Sequence, residues 1–115
     1  MKALDAICGW VLFALGVVHC TVTFFIFRQA MSTDRPLWFF SGGLLLILVG
    51  LVNWLRRADR DAWRVRRISF IANLMALALA IWFTWLVRGN LTRDPQSVVL
   101  ILAIAGETYF SARTR

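Results

Sequence analysis

Residues 8–27 read CGWVLFALGVVHCTVTFFIF. This stretch is apolar around its whole circumference, with no polar face to turn to water. Such a helix is buried in a large core or in a membrane, and a chain of 115 residues has no large core. His19, the only histidine, lies inside it. The stretch raises two questions: what surrounds the helix, and what holds the histidine.

The rest of the chain repeats the pattern. Hydrophobic residues make up 60% of the sequence, well above the ~45–50% of an ordinary soluble domain. Charged residues collect between four apolar runs: Leu4 to Phe27, Pro36 to Leu55, Ile68 to Val87 and Gln96 to Ala112. A helix crosses a ~30 Å hydrocarbon core with about 20 residues, so three runs suffice and the fourth is short. Runs of this length within a bilayer are helices, because no water is present to satisfy open backbone groups. The fold class expected is an all-α integral membrane protein, a single transmembrane domain over residues 1–115. Its helices span about 4–27, 36–55, 68–87 and 96–112. The connections RQAMSTDRP (28–36) and RGNLTRDPQS (88–97) are short. Pro36 suits a helix start, and Asp94 before Pro95 reads as a cap. Short connections make neighbouring helices antiparallel, giving an up-down bundle.

A net charge of +7 suggests nucleic acid, but its placement does not. The segment RRADRDAWRVRR (56–67) carries Arg56, Arg57, Arg60, Arg64, Arg66 and Arg67, and Lys2, Arg113 and Arg115 fall on the same side. The opposite side has Arg28, Arg35, Arg88 and Arg93. The excess places both termini and the central connection in the cytoplasm of an inner-membrane protein. The arginines of the connection are expected to anchor topology against anionic lipid head groups, with Trp63 dipping into the interface. No nucleic-acid partner is expected. The N-terminus is expected to stay as an uncleaved first helix, since its apolar run is too long for a signal peptide.

Cys8 and Cys20 are twelve residues apart on one helix, too far along the axis to pair with each other. The chain has no C-x-x-C, which removes a thiol-oxidoreductase of the vitamin K epoxide reductase type. No metal-ligand cluster is visible, and no cofactor is expected.

Polar residues at membrane depth are the candidate site. These are His19, Glu107, Asn73, Thr84 and Asn53. A lone carboxylate in an apolar surround is costly, so Glu107 must face the bundle interior. Ala103 and Gly106 on its face allow a close neighbour. Its candidate partners are His19, Asn73, Thr84 and arginines reaching in from the inner rim. Counted from the outer helix ends, His19 lies ~12 Å deep and Glu107 ~16 Å deep, so convergence of His19, Asn73 and Glu107 is the working hypothesis. The alternative is that each bonds locally and sets helix register. Asp5 is expected in solvent, near Arg113 or Arg115. Small-residue seams run along helix 1 (Gly9, Gly16, Cys20, Thr23), helix 2 (Gly43, Gly50) and helix 3 (Ala72, Ala76, Ala80, Thr84). The tryptophans read as interfacial anchors.

Three function classes follow. The first is a lipid- or apolar-ligand-binding protein, or an accessory protein that binds a membrane partner or a second copy of itself. The second is a small proton-coupled transporter using Glu107. Length, four spans and one embedded Glu are similar to the small multidrug resistance exporters, but those carry the Glu in the first helix, where this chain has His19. The third is a membrane-embedded enzyme, for which no nucleophile–base pair is visible.

The G-x-x-H element from Gly16 to His19, followed by WFFSGGLLLILVGL (38–51), resembles small bacterial inner-membrane proteins of unassigned activity. The resemblance covers the first half of the chain. It implies a four-helix fold and no activity.

Overall fold

The computed structural model describes residues 2–29, 34–59, 62–86 and 95–113. They form four helices: α1 (Lys2–Ile26), α2 (Asp34–Ala58), α3 (Trp63–Leu86) and α4 (Pro95–Arg113). There is no strand among the described residues. α1, α2 and α3 are long and apolar enough to cross a membrane, and α4 falls short of that measure. α4 has 19 residues, or ~28 Å of rise, and Gln96, Ser97, Glu107, Thr108 and Ser111 dilute its apolar run.

The helices outrun the apolar stretches that announce them. α2 continues through Arg56 and Arg57 to Ala58, and α3 begins at Trp63, five residues before Ile68. The Arg-rich segment is therefore mostly helix. At the facing ends of α2 and α3, Asp59 N–H donates to the Leu55 carbonyl at 3.0 Å, and Asp59 Oδ1 accepts from Ala62 N–H at 3.2 Å. The latter satisfies a donor at the start of α3 that has no intrahelical partner. The cap suggested for Asp94 lies outside the described residues, as do Arg60, Arg88, Arg93 and Arg115.

α1 packs on α2 and α4, α3 packs on α2 and α4, and α2 and α4 touch across the diagonal. Contacts between α1 and α2 pair residue numbers that rise on one helix and fall on the other. A Cβ on Gly43 would stand 2.6 Å from Cys20 Sγ and 2.9 Å from the Gly16 carbonyl oxygen, and one on Gly50 would stand 3.1 Å from Phe13 Cβ. The two helices are antiparallel, and their backbones meet where side chains are missing. The whole bundle measures 48 × 27 × 21 Å.

All four helices contribute to one apolar layer: Leu12 from α1, Val49 from α2, Ala76 from α3, and Ala103 and Ile104 from α4. Apart from Phe110, Pro36 and glycines, the other buried residues are polar. Asp5, Thr23, Asn53, Arg56, Ser69, Asn73, Glu107 and Ser111 are buried, while large apolar side chains on every helix are exposed.

Candidate functional site

Apart from Thr23, which donates to the His19 carbonyl at 2.8 Å near the far end of α1, the buried polar residues form two adjoining clusters at the end of the bundle where α1 begins and α4 ends. The first is a charge quartet. Arg56 Nη2 donates to Glu107 Oε2 at 2.8 Å and also to Asp5 Oδ1. Arg57 Nη1 donates to Glu107 Oε1 at 3.1 Å and to the Asp5 backbone carbonyl at 3.1 Å, and lies 3.6 Å from Asp5 Oδ1. Each oxygen of Glu107 thus faces a different arginine. Two positive and two negative side chains from α1, α2 and α4 form one neutral unit. Neutrality matters, because an uncompensated charge in this position costs several kcal/mol.

The second cluster is a hydrogen-bonded hub. Asn53 and Asn73 exchange amide bonds, Asn53 Nδ2 to Asn73 Oδ1 at 2.7 Å and Asn73 Nδ2 to Asn53 Oδ1 at 2.9 Å. Ser69 Oγ donates to Asn53 Oδ1 at 2.6 Å. Ser111 Oγ donates to the Thr108 carbonyl at 2.9 Å and lies 3.5 Å from Asn73 Nδ2. The hub joins α2, α3 and α4. Spacing aligns it with the quartet: Asn53, Arg56 and Arg57 stand at i, i+3 and i+4 on α2, and Glu107 and Ser111 at i and i+4 on α4, so each helix presents both clusters on one face.

Several expectations are corrected by this geometry. His19 and Glu107 do not meet. The His19 ring stacks on Phe39 of α2, centroids 3.7 Å apart and planes 12° apart. Glu107 Oε1 lies at Gly9, 2.8 Å from where a Cβ would stand. His19 is ten residues further along α1, ~15 Å away. Depths counted from the outer ends misled because α1 has 25 residues and α4 has 19, so their outer ends are not a common reference. Asn73 bonds Asn53 rather than Glu107. Thr84 donates to the Ala80 carbonyl of its own helix at 2.7 Å.

Arg56 and Arg57 do not stand free at the surface of the connection. α2 continues past the apolar run and turns both inward, Arg56 buried and Arg57 half-buried. Asp5 is likewise buried against them rather than solvated beside Arg113. Arg113 instead bonds Tyr109 Oη. Arg64 and Arg67 are exposed, with their guanidinium carbons 5.7 Å and 4.7 Å from the Trp63 ring centroid. Arg66 is half-buried, and Arg60 lies outside the described residues.

Ser69 and Ser111 were not singled out from the sequence, and Asp5 was placed in solvent rather than in the site. A signal for the serines was present: Ser69 precedes Asn73 by four and Ser111 follows Glu107 by four, the spacing that stacks side chains on one helix face.

Between α1 and α2, beside the quartet, lies a groove of about 190 Å³ lined by Gly9, Trp10, Phe13, Gly50, Leu51, Trp54 and Arg57. Both cysteines are free thiols. Among the described residues, no group of three or more His, Cys, Asp or Glu side chains is placed to hold a metal ion.

No protein family, curated protein or solved structure matches this chain.

Proposed function

We propose that the chain is an inner-membrane protein with four spans and cytoplasmic termini, and that it binds lipid or serves as an accessory to a membrane partner. The observation that carries this reading is the inverted distribution of polarity. Asp5, Arg56, Glu107, Asn53 and Asn73 are inside, and large apolar side chains are exposed on all four helices. A water-soluble domain rarely exposes apolar patches larger than a few hundred Å². Hydrocarbon is the solvent that suits this surface. α4 suits it too despite its composition, because Glu107 and Ser111 point inward while Val99 and Leu102 are exposed. All six tryptophans are exposed, which fits side chains that anchor at the membrane interface.

Orientation follows from the basic residues outside the quartet. Lys2, Arg64, Arg66, Arg67 and Arg113 lie at the same end of the bundle and favour the cytoplasmic face. Trp63 with Arg64 and Arg67 is an aromatic-basic group suited to anionic head groups there.

The quartet is suited to holding three helices together. Both oxygens of Glu107 are occupied by arginine donors, and the apolar layer of Leu12, Val49, Ala76, Ala103 and Ile104 closes the bundle beyond it. These features favour a binding or accessory role over a proton-coupled transporter.

The test is made in bacterial membranes. The protein is expected to resist alkaline carbonate extraction. Single cysteines at Lys2 and Arg113, in a Cys8→Ser/Cys20→Ser background, are expected to react with an impermeant maleimide only from the cytoplasmic side. Release by carbonate, or labelling from the outside, would sink the reading.

A further inference from the structure

We propose that the groove between α1 and α2 binds one anionic phospholipid of the inner leaflet, its acyl chain along the groove and its phosphate on Arg57. The inference rests on the membrane reading above and names a ligand for it.

The groove is built for a chain. Its floor is backbone, because Gly9 and Gly50 line it and the two helices meet there, a Cβ on Gly50 standing 3.2 Å from the Gly9 carbonyl oxygen. Its walls are Trp10 and Phe13 on one side and Leu51 and Trp54 on the other. Trp10 is braced edge-on against Phe13, centroids 5.9 Å apart and planes at 84°. The volume of about 190 Å³ is below the ~300–1,000 Å³ of a compact small-molecule pocket. That leaves room for a length of hydrocarbon lying in an open cleft, and the outer surface around it is apolar.

One end of the groove is charged. Arg57 lines it, and both of its Nη atoms lie 2.5 Å from where a Cβ on Gly9 would stand. Its hydrogen bonds within the quartet run through Nη1. The Nη2 and Nε edge is left for a phosphate, which a guanidinium fork matches geometrically. Glu107 Oε1, 3.1 Å from Nη1, holds the guanidinium through that nitrogen. Arg56, its neighbour, is buried and is not among the groove residues. The surrounding end of the bundle carries Lys2, Arg64, Arg66, Arg67 and Arg113, so the local field favours an anion.

The experiment is native mass spectrometry of the detergent-purified full chain, titrated with phosphatidylglycerol or phosphatidylcholine of identical chains. The wild type is expected to hold one phosphatidylglycerol, roughly tenfold more tightly than phosphatidylcholine, the scale of one charge-assisted hydrogen bond. Leu51→Trp fills the groove without touching the quartet and is expected to lose the bound lipid. Arg57→Gln removes the charge together with the fork, and is expected to bring the two lipids close to equal affinity. Circular dichroism on each variant confirms that it is folded. Equal binding of both lipids by the wild type overturns the proposal. So does undiminished binding by folded Leu51→Trp, or displacement of the lipid by excess inorganic phosphate alone. Resistance to carbonate extraction with loss of the groove effect would condemn the site and spare the membrane reading. Release by carbonate would condemn both.

Discussion

Arg56 of α2 and Glu107 of α4 face each other inside the bundle at 2.8 Å, with 2% and 0% of their side chains exposed. They are 51 residues apart in the chain and belong to helices that otherwise touch only at this diagonal. With Asp5 and Arg57 they close a neutral ring of charges among three helices. The same end of the bundle holds the asparagine hub, so α3 is tied in by amide bonds where the other three are tied by charge.

Glu107→Gln removes one charge from this ring and leaves two arginines facing a single carboxylate. Breaking a buried pair from one side costs about 3–5 kcal/mol. The variant is expected to unfold at markedly lower SDS fraction in mixed micelles than the wild type. Adding Arg57→Gln restores neutrality, so the double variant should be less destabilised than the sum of its parts. Simple additivity would mean that the two residues do not share a site.

Asn73→Ala removes the amide that exchanges bonds with Asn53 and leaves Asn53 Oδ1 with Ser69 alone. Between helices packed in a membrane, the setting proposed above, such a loss is worth about 1–2 kcal/mol. A double-mutant cycle of Asn53→Ala and Asn73→Ala in the same unfolding assay is expected to give a coupling energy clearly above zero. A coupling within error of zero would contradict the reciprocal pair.

The two adjacent glycines of α2 are expected to differ. A Cβ on Gly43 would fall 2.6 Å from Cys20 Sγ and 3.0 Å from the Cys20 backbone nitrogen, whereas one on Gly42 meets only the His19 ring at 3.8 Å. Gly43→Ala must therefore push α1 and α2 apart and lower the thermal midpoint. Gly42→Ala makes ordinary contact and gains up to ~1 kcal/mol of helix propensity, so its midpoint should hold or rise. Equal effects at the two positions would refute the close approach.

His19→Phe is expected to keep the fold. The ring stacks on Phe39, and stacked aromatic pairs are worth about 0.5–1.5 kcal/mol beyond burial, an interaction phenylalanine retains. The stability of this variant should stay within about 1 kcal/mol of wild type, and its response to Glu107→Gln should be additive. Coupling between positions 19 and 107 would show a link that the geometry lacks.

Much of this architecture was legible before any coordinates. Long all-round apolar runs separated by Pro, Gly and charged clusters specify four helices, because apolar length and chain-breaking residues act locally. The demand for burial at Glu107 was equally local, since an isolated carboxylate among apolar residues needs a partner wherever its helix sits. The ends of the helices were less legible. Arg56, Arg57 and Trp63 to Arg67 read as connection because they are polar. They are helix because the Asp59 side chain accepts from Ala62 N–H at the start of α3, and because two arginines on the inward face find acids to bond.

The identity of the partners was a tertiary decision. A sequence gives each residue's position along its own helix but not the offset of one helix against the next. That offset is set by where backbones can approach, at Gly16 with Gly43 and at Gly9 with Gly50. Once those contacts fix the register, Asp5, Arg56, Arg57 and Glu107 fall at one level and His19 at another. The sequence by itself determined that charge had to be buried and how many helices would bury it. Packing of α1 on α2 decided which charges met, because a shift of one helical turn, ~5.4 Å, exceeds the reach of an ion pair.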